Sequence, residues 1–131
     1  MPAPGPSAAW APGRSVAAGS VPVVSELSTE DQKLVTLARA TMARTRADEG
    51  GAVRDLDGRT YAAASVDLPS LSLTALEVCV AMAVSSGAQG LEAAVRLGGA
   101  LEADLRAVRE LGGDGVVIHL GDARGQISGT A

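Results

Sequence analysis

The first periodic run of apolar residues along the chain has the spacing of one helix face. It consists of Leu34, Leu37, Ala38 and Met42. We predict that this helix begins near Ser28-Thr29, because Thr29 and Gln32 form a capping-box pattern. The helix should run to about Arg46, before the break that Gly50-Gly51 predicts.

Short alternating segments come next, and they predict a β-hairpin. Its strands are residues 52–54 and 60–64, and Asp57-Gly58 is the turn signal between them. Residues 66–70 are predicted to form a loop. A second helix is predicted to start near Thr74, whose hydroxyl can cap it while Glu77 stands three residues on. Nearly all of its side chains are apolar, which predicts a central, buried helix that ends at Gly87.

The last third of the chain alternates strand and helix patterns. It predicts a strand at residues 91–97, an amphipathic helix at 100–111, a β-branched strand at 116–120 and a short strand at 126–128. The element order is therefore α-β-β-α-β-α-β-β. A hairpin followed by αβ units predicts an α/β domain in which helical layers cover a mixed sheet.

Composition divides the chain into a leader and one domain. Five of the six prolines lie in the first 22 residues, among Gly, Ser and Ala, so we predict a disordered leader over residues 1–24. This leader is either a plain extension or a docking tail anchored by Trp10. Residues 25–131 are predicted to be a single domain, since 47% of the chain is hydrophobic and can form a core.

Charge and residue counts exclude several classes of function. A formal net charge of −4 and 2% aromatic residues argue against a nucleic-acid or membrane partner. Cys79 is the only cysteine and His119 the only histidine, which excludes a disulfide framework and a two-cysteine zinc site. The chain shows neither a run of ~20 apolar residues nor a signal-peptide pattern, and a lone thiol suits a reducing compartment. We therefore expect a cytoplasmic protein.

Four short segments, in this order, resemble the cytidine deaminase family over residues 33 to about 120. The segment Asp57-Gly58-Arg59-Thr60-Tyr61 resembles its first hairpin, and Ser65-Val66-Asp67 resembles its nucleoside-binding segment. Leu73-Thr74 with residues 81–87 resembles its central catalytic helix, and residues 109–112 resemble the helix after its second metal motif. The chain looks most like short actinobacterial proteins of that family. The resemblance implies a three-layer α-β-α fold with a mixed central sheet of about five strands.

The resemblance also implies a zinc centre and its chemistry. In the family one Cys or His at the start of the central helix and two Cys at the start of the next hold the metal, and a glutamate two residues past the first ligand shuttles the proton. Here the first ligand position falls on Thr74, Ala75 or Leu76. The second pair falls on Gly99 and Glu102, on Ala100 and Ala103, or on Leu101 and Asp104. We therefore expect no zinc and no other cofactor.

The remaining candidate residues each have two interpretations. Glu77 falls at the proton-shuttle position in one register and is otherwise the third residue of a capping box. By resemblance, Ser65 and Asp67 stand where the family's Asn and Glu contact ribose. Cys79 and His119 are expected in the apolar interior, and a reactive Cys-His pair is the alternative.

Two functions are compatible with these residues. The first is a degenerate, non-catalytic domain, a pseudoenzyme that binds a nucleoside-like small molecule or another protein. The alternative is an active cytidine deaminase-type hydrolase that releases ammonia from cytidine or a related aminopyrimidine nucleoside. That alternative would use Glu77 together with either an unorthodox metal site, for which Glu102, Asp104 and His119 are candidates, or a metal-free path. In both cases the resemblance implies a homo-oligomer, a dimer or tetramer formed through the central helices.

Overall fold

The computed structural model describes residues 27–99 and 103–131. The predicted leader, with Trp10, and the candidate ligand Glu102 therefore lie outside the described residues. The described helices are α1 (Thr29–Thr45), α2 (Ala75–Ser85) and α3 (Arg106–Gly112). The described strands are β1 (Glu49–Asp55), β2 (Thr60–Ala64), β3 (Val66–Leu68), β4 (Leu71–Leu73), β5 (Leu91–Gly98), β6 (Val117–Gly121) and β7 (Ile127–Thr130).

Five of these strands form one mixed sheet in the order β2-β1-β5-β6-β7. Strands β5 and β6 are parallel, and the other neighbouring pairs are antiparallel. Helix α1 packs on one face of the sheet, and α2 and α3 pack on the other. The predicted three-layer α/β fold with a mixed five-stranded sheet is confirmed. No helix among the described residues is long and apolar enough to cross a membrane.

Strands β3 and β4 form a separate hairpin that the sequence interpretation missed. Residues 66–70 were expected to be a loop, but Val66 pairs with Leu73 and Leu68 pairs with Leu71 across a two-residue turn. Apolar side chains alternate along both segments, which is a strand pattern that Pro69 obscured. The hairpin lies beside the start of α2, where it forms one wall of the candidate site described below.

The core on the α1 side is built from small and branched side chains. It consists of Leu34, Ala38, Met42, Ala52, Ala93, Val95, Leu97 and Ile127. The cap of α1 is Ser28, whose hydroxyl accepts a hydrogen bond from the backbone N–H of Asp31 at 3.0 Å. The expected cap, Thr29, is already the first helical residue. Leu37, expected on the apolar stripe, is partly exposed.

The core on the α2 side includes the sole cysteine. It consists of Val53, Ala63, Leu76, Cys79, Ala83, Leu91, Ala94, Val108, Val116 and Ile118. Helix α2 was predicted to be buried all round, but Ala81 and Val84 are exposed. Within the described residues, only one side of α2 is covered by the sheet and α3.

Gly50 and Gly51 lie inside β1, so the predicted break at these residues is wrong. A Cβ on Gly50 would lie 2.5 Å from the carbonyl oxygen of Ala38 in α1. A Cβ on Gly51 would lie 3.3 Å from the Cβ of Ala75 in α2. The two glycines therefore let helices approach both faces of the same strand, a role that glycine has where backbones come close.

Helix α3 begins six residues later than the predicted start at residue 100. Residues 103–105 are described and are not helical. The Asp104 carboxylate accepts hydrogen bonds from both the backbone N–H and the guanidinium of Arg106. Such local side-chain bonds compete with helix formation and mark a helix start.

The predicted turn at Asp57-Gly58 is present between β1 and β2. The buried Asp55 carboxylate organises it by accepting hydrogen bonds from the backbone N–H groups of Asp57 and Arg59 and from the Tyr61 hydroxyl. Burial alone would raise the pKa of Asp55, but the Arg59 N–H and Tyr61 hydrogen bonds outweigh it and lower the pKa. Gly58 has a φ of +86°, which suits glycine at this turn.

Candidate functional site at the start of α2

A cavity of about 410 Å³ lies at the N-terminal end of α2. Its walls come from the start of β1, the β3–β4 hairpin, the first turn of α2, the end of β5 and the segment before α3. The polar side chains that line it are Asp48, Glu49, Ser65, Asp67, Ser72, Thr74, Glu77, Arg96 and Asp104. The fold thus brings together all three predicted site residues, Ser65, Asp67 and Glu77.

Glu77 takes part in a complete capping box. The Thr74 hydroxyl accepts a hydrogen bond from the Glu77 backbone N–H at 3.1 Å, and the Glu77 carboxylate accepts one from the Thr74 N–H at 2.8 Å. This is the reciprocal arrangement that the spacing predicts. The carboxylate also borders the cavity, so the capping role and a role toward a ligand involve the same group.

Ser65 and Asp67 approach the cavity from the strand side. The Ser65 backbone N–H donates to the Glu49 carbonyl oxygen at 3.1 Å, which fixes the start of the hairpin against β1. Asp67 pairs with Ser72 across the hairpin and is exposed. Its carboxylate can accept hydrogen bonds from hydroxyl groups of a ligand.

The sequence interpretation missed the most buried polar pair of the site, Glu49 and Arg96. Glu49 Oε1 accepts a hydrogen bond from the Ala75 N–H at 2.7 Å, and Oε2 lies 2.7 Å from Arg96 Nε. The two side chains are 11% and 12% exposed. No local signal in the sequence marks this pair, because both strands carry other ionisable residues and no spacing indicates that Glu49 and Arg96 meet.

Asp104 borders the cavity from the opposite side to the hairpin. Hydrogen bonds from the Arg106 guanidinium and backbone N–H lower the pKa of Asp104 to about 2. Its carboxylate is therefore ionised and already paired at neutral pH.

The described residues do not fit the zinc centre that the resemblance implies. At the start of α2, Ala75 and Leu76 offer no donor atom, and the Thr74 hydroxyl is used by the capping box. No three His, Cys, Asp or Glu side chains in residues 27–99 and 103–131 come together as a metal site. Of the alternative ligands, Asp104 lines the cavity and Glu102 is outside the described residues. The third, His119, lies on the α1 face of the sheet, opposite to the face that α2 covers.

Cys79 and His119 lie on opposite faces of the sheet and do not form a reactive pair. Cys79 is fully buried in the α2-side core, and burial raises the pKa of its thiol to about 12. His119 pairs in register with Val95, which belongs to the α1-side core. Its Nε2 donates a hydrogen bond to Asp31 Oδ2 at 2.8 Å.

His119 belongs to a polar network that joins α1 to three strands. Arg54 Nη2 donates to Asp31 Oδ1 at 3.0 Å, and Arg54 Nε donates to Glu92 Oε1 at 2.7 Å. Burial alone would raise the pKa of Asp31, but the hydrogen bonds from His119 and Arg54 outweigh it and lower the pKa. None of these four residues lines the cavity, so the network is structural rather than part of the candidate site.

Among the comparisons with known proteins, the match to a family model shows the family, and solved structures show the same fold. Residues 27–125 match the model of the family described as cytidine deaminase-like. The structure resembles the cytidine deaminase from Mycobacterium leprae with a TM-score of 0.59 at 21% identity, covering 71% of this chain and 89% of that one. The cytidine deaminase from Burkholderia pseudomallei gives a TM-score of 0.64 at 18% identity, covering 76% of this chain and 89% of that one. The cytidine deaminase from Mycobacterium tuberculosis gives a TM-score of 0.59 at 25% identity, covering 70% of this chain and 85% of that one. Among curated protein sequences, none matches this chain.

Proposed function

Because the chain belongs to the cytidine deaminase-like family, we propose that it is a degenerate, non-catalytic member that binds a nucleoside-like small molecule without zinc. The first turn of α2 carries this proposal. At this turn the family places its first metal ligand, whereas Ala75 and Leu76 are buried and apolar and the Thr74 hydroxyl accepts the capping hydrogen bond. Without a metal ligand at this turn, the pKa of water beside Glu77 would not be lowered, and such water is a poor nucleophile.

Binding is supported by the retained cavity. Its volume of about 410 Å³ falls within the usual range of small-molecule sites. Ser65 and Asp67 approach it from the hairpin and supply acceptors and a hydroxyl for a sugar-like ligand. The side chains of Ser65 and Asp67 are shorter than the family's Asn and Glu or form weaker hydrogen bonds. We therefore expect modest affinity for a plain nucleoside.

Calorimetric titration of the full chain with cytidine and uridine tests this proposal. Asp67→Asn should raise Kd about tenfold, the effect of losing roughly 1.4 kcal/mol of a charged hydrogen bond. Asp57→Asn is the matched control, because that carboxylate is exposed at the β1–β2 turn and does not line the cavity. Equal Kd values for the two variants, or no binding by the wild type, would contradict nucleoside binding at this site.

The alternative function is an active hydrolase acting on cytidine or a related aminopyrimidine nucleoside. The position of the Glu77 carboxylate at the cavity favours it. Zinc content and ammonia release should be measured on the same freshly purified sample. About one zinc per chain, with ammonia release that Glu77→Gln abolishes, would replace our proposal with this alternative.

We also expect a homo-oligomer that works in the cytoplasm. Support for an assembly comes from α2, where Ala81 and Val84 form an apolar surface that the described residues leave exposed. Closed symmetric assembly through one such surface is the usual solution for homo-oligomers. Sedimentation of wild type and Val84→Glu should show a dimer or tetramer that the charged variant dissociates.

A further inference from the structure

Two ion pairs join β1 to β5, one on each face of the sheet, and their nitrogen-to-oxygen distances are the same. Glu49 of β1 meets Arg96 of β5 on the α2 face, with 2.7 Å between Oε2 and Nε. Arg54 of β1 meets Glu92 of β5 on the α1 face, with 2.7 Å between Nε and Oε1. Their surroundings differ, since the Glu49 side chain is 11% exposed and the Glu92 side chain 46%.

Both pairs also reach a helix, but only the first does so through its carboxylate. Arg54 bonds the Asp31 side chain in α1, whereas Glu49 bonds the backbone at the start of α2. The second carboxylate oxygen of Glu49 accepts the Ala75 N–H, the first backbone N–H of α2, at 2.7 Å. A helix start carries unpaired N–H groups and a partial positive charge, so a carboxylate there is stabilising. Glu49 therefore connects three elements, β1, β5 and α2, at the head of the cavity.

Two glycines allow this close arrangement. Gly51 lies opposite Arg96, and a Cβ on Gly51 would press against Ala75. At Gly99, with a φ of +79°, a Cβ would overlap the Arg96 guanidinium and lie 2.9 Å from Glu49 Oε2. Backbone thus lies directly against the pair at Gly99, and Gly51 lets the start of α2 approach β1.

We infer that the Glu49–Arg96 pair is a metal-independent tie that holds the start of α2 against β1 and β5 and so preserves the cavity. In the family, the resemblance implies that a metal ligand stands at the start of the central helix. Here a carboxylate from β1 neutralises the start of that helix, and Arg96 neutralises the carboxylate. The inference rests on the proposed function, because the cavity whose shape the tie preserves is the proposed ligand site.

Thermal unfolding of the full chain gives the first test. Tm should stay within about 1 °C when EDTA is added and when one equivalent of zinc is added instead. A fall of Tm with EDTA would overturn the inference, because it would mean that a metal supports the fold.

Matched variants give the second test. Glu49→Gln keeps an acceptor for the Ala75 N–H but removes the negative charge that Arg96 Nε and the start of α2 share, and we expect Tm to fall by about 10 °C or more. Glu92→Gln removes the exposed partner of the other pair and should lower Tm by no more than about 2 °C. Equal effects of the two substitutions would overturn the inference.

Two further measurements separate a tie from general destabilisation. Amide exchange at Ala75 should accelerate in Glu49→Gln and remain unchanged in Glu92→Gln. Adding Arg96→Gln to Glu49→Gln should lower Tm by less than Arg96→Gln alone does, since both substitutions remove the same ion pair. If Glu49→Gln does not fold, the Arg96→Gln single variant and the double variant provide the same comparison. If the Ala75 amide exchanges equally in both Gln variants, or if the second substitution adds its full cost, the tie is refuted.

The two proposals fail in different ways. Zinc-dependent ammonia release from cytidine would refute the non-catalytic function. Insensitivity of Tm to Glu49→Gln would refute only the tie and leave ligand binding untouched.

Discussion

Replacing Asp31 with Asn removes one negative charge from the network that joins α1 to β1, β5 and β6. Asp31 accepts hydrogen bonds from His119 at 2.8 Å and from Arg54 at 3.0 Å, and its side chain is 14% exposed. A hydrogen bond to a charged group contributes about 1.5–3 kcal/mol, and an acidic residue in the first helical turn about 0.3–1 kcal/mol. Since Asn still accepts one of the bonds, we expect a loss of about 3 kcal/mol. For a domain of this size, Tm should fall by at least ~10 °C.

The pH dependence of this loss follows from the lowered pKa of Asp31. The ordinary pKa is 3.8, and the folded-state pKa lies below it despite burial, because of His119 and Arg54. The carboxylate therefore contributes its stability fully above about pH 4 and loses it as pH falls through the folded-state pKa. Wild type and Asp31→Asn should differ clearly at pH 5 and above and begin to converge below pH 4.

Urea unfolding followed by far-UV circular dichroism measures this difference. The control is Glu30→Gln, in the same helical turn, because Glu30 is 59% exposed and, within the described part of the chain, pairs with the exposed Lys33 alone. Such a surface pair contributes about 0–1 kcal/mol. If the two substitutions cost the same, or if the Asp31→Asn difference persists unchanged at pH 3, our account of the network is wrong.

Two further predictions concern packing and the thiol. Gly50→Ala should lower the free energy of unfolding by about 1–3 kcal/mol, because the new Cβ would lie 2.5 Å from the Ala38 carbonyl oxygen. Gly129→Ala is the control and should change it little, because a Cβ there meets nothing within 4 Å; equal unfolding midpoints of the two variants would contradict this. Cys79 should react with Ellman's reagent at pH 8 only when the chain unfolds, because the side chain is fully buried and burial raises the pKa of its thiol to about 12. At pH 8 about one thiol in ten thousand is then ionised, and prompt reaction of the native chain would refute the burial.

Local patterns predicted most of the elements and the two capping residues at the start of α2. The Thr74 and Glu77 spacing predicted the capping box of α2, because such a cap is made within a single turn of helix. The Asp57-Gly58 turn and the strands of the central sheet were predicted for the same reason, since turn residues and apolar alternation act over a few residues. Ser65 and Asp67 were identified by resemblance, and the fold places them at the cavity with Glu77.

The errors arise where a contact distant in sequence overrides a local preference. Gly50-Gly51 indicates a break in isolation, yet it lies within β1 because α1 and α2 pack against the two faces of that strand. Helix α2 is apolar all round, yet its Ala81 and Val84 side stays exposed within the described chain, because burial depends on what packs against it.

The sequence by itself determined the family resemblance, the order of most elements and the absence of Cys and His at the expected ligand positions, because each depends only on which residues stand where along the chain. Only the tertiary structure decided that Glu49 meets Arg96 across 47 residues and that Asp31 meets His119 across 88. It also separated Cys79 from His119 by placing them on opposite faces of the sheet. These pairings follow from strand order and register, which bring distant residues together without leaving a spacing in the sequence.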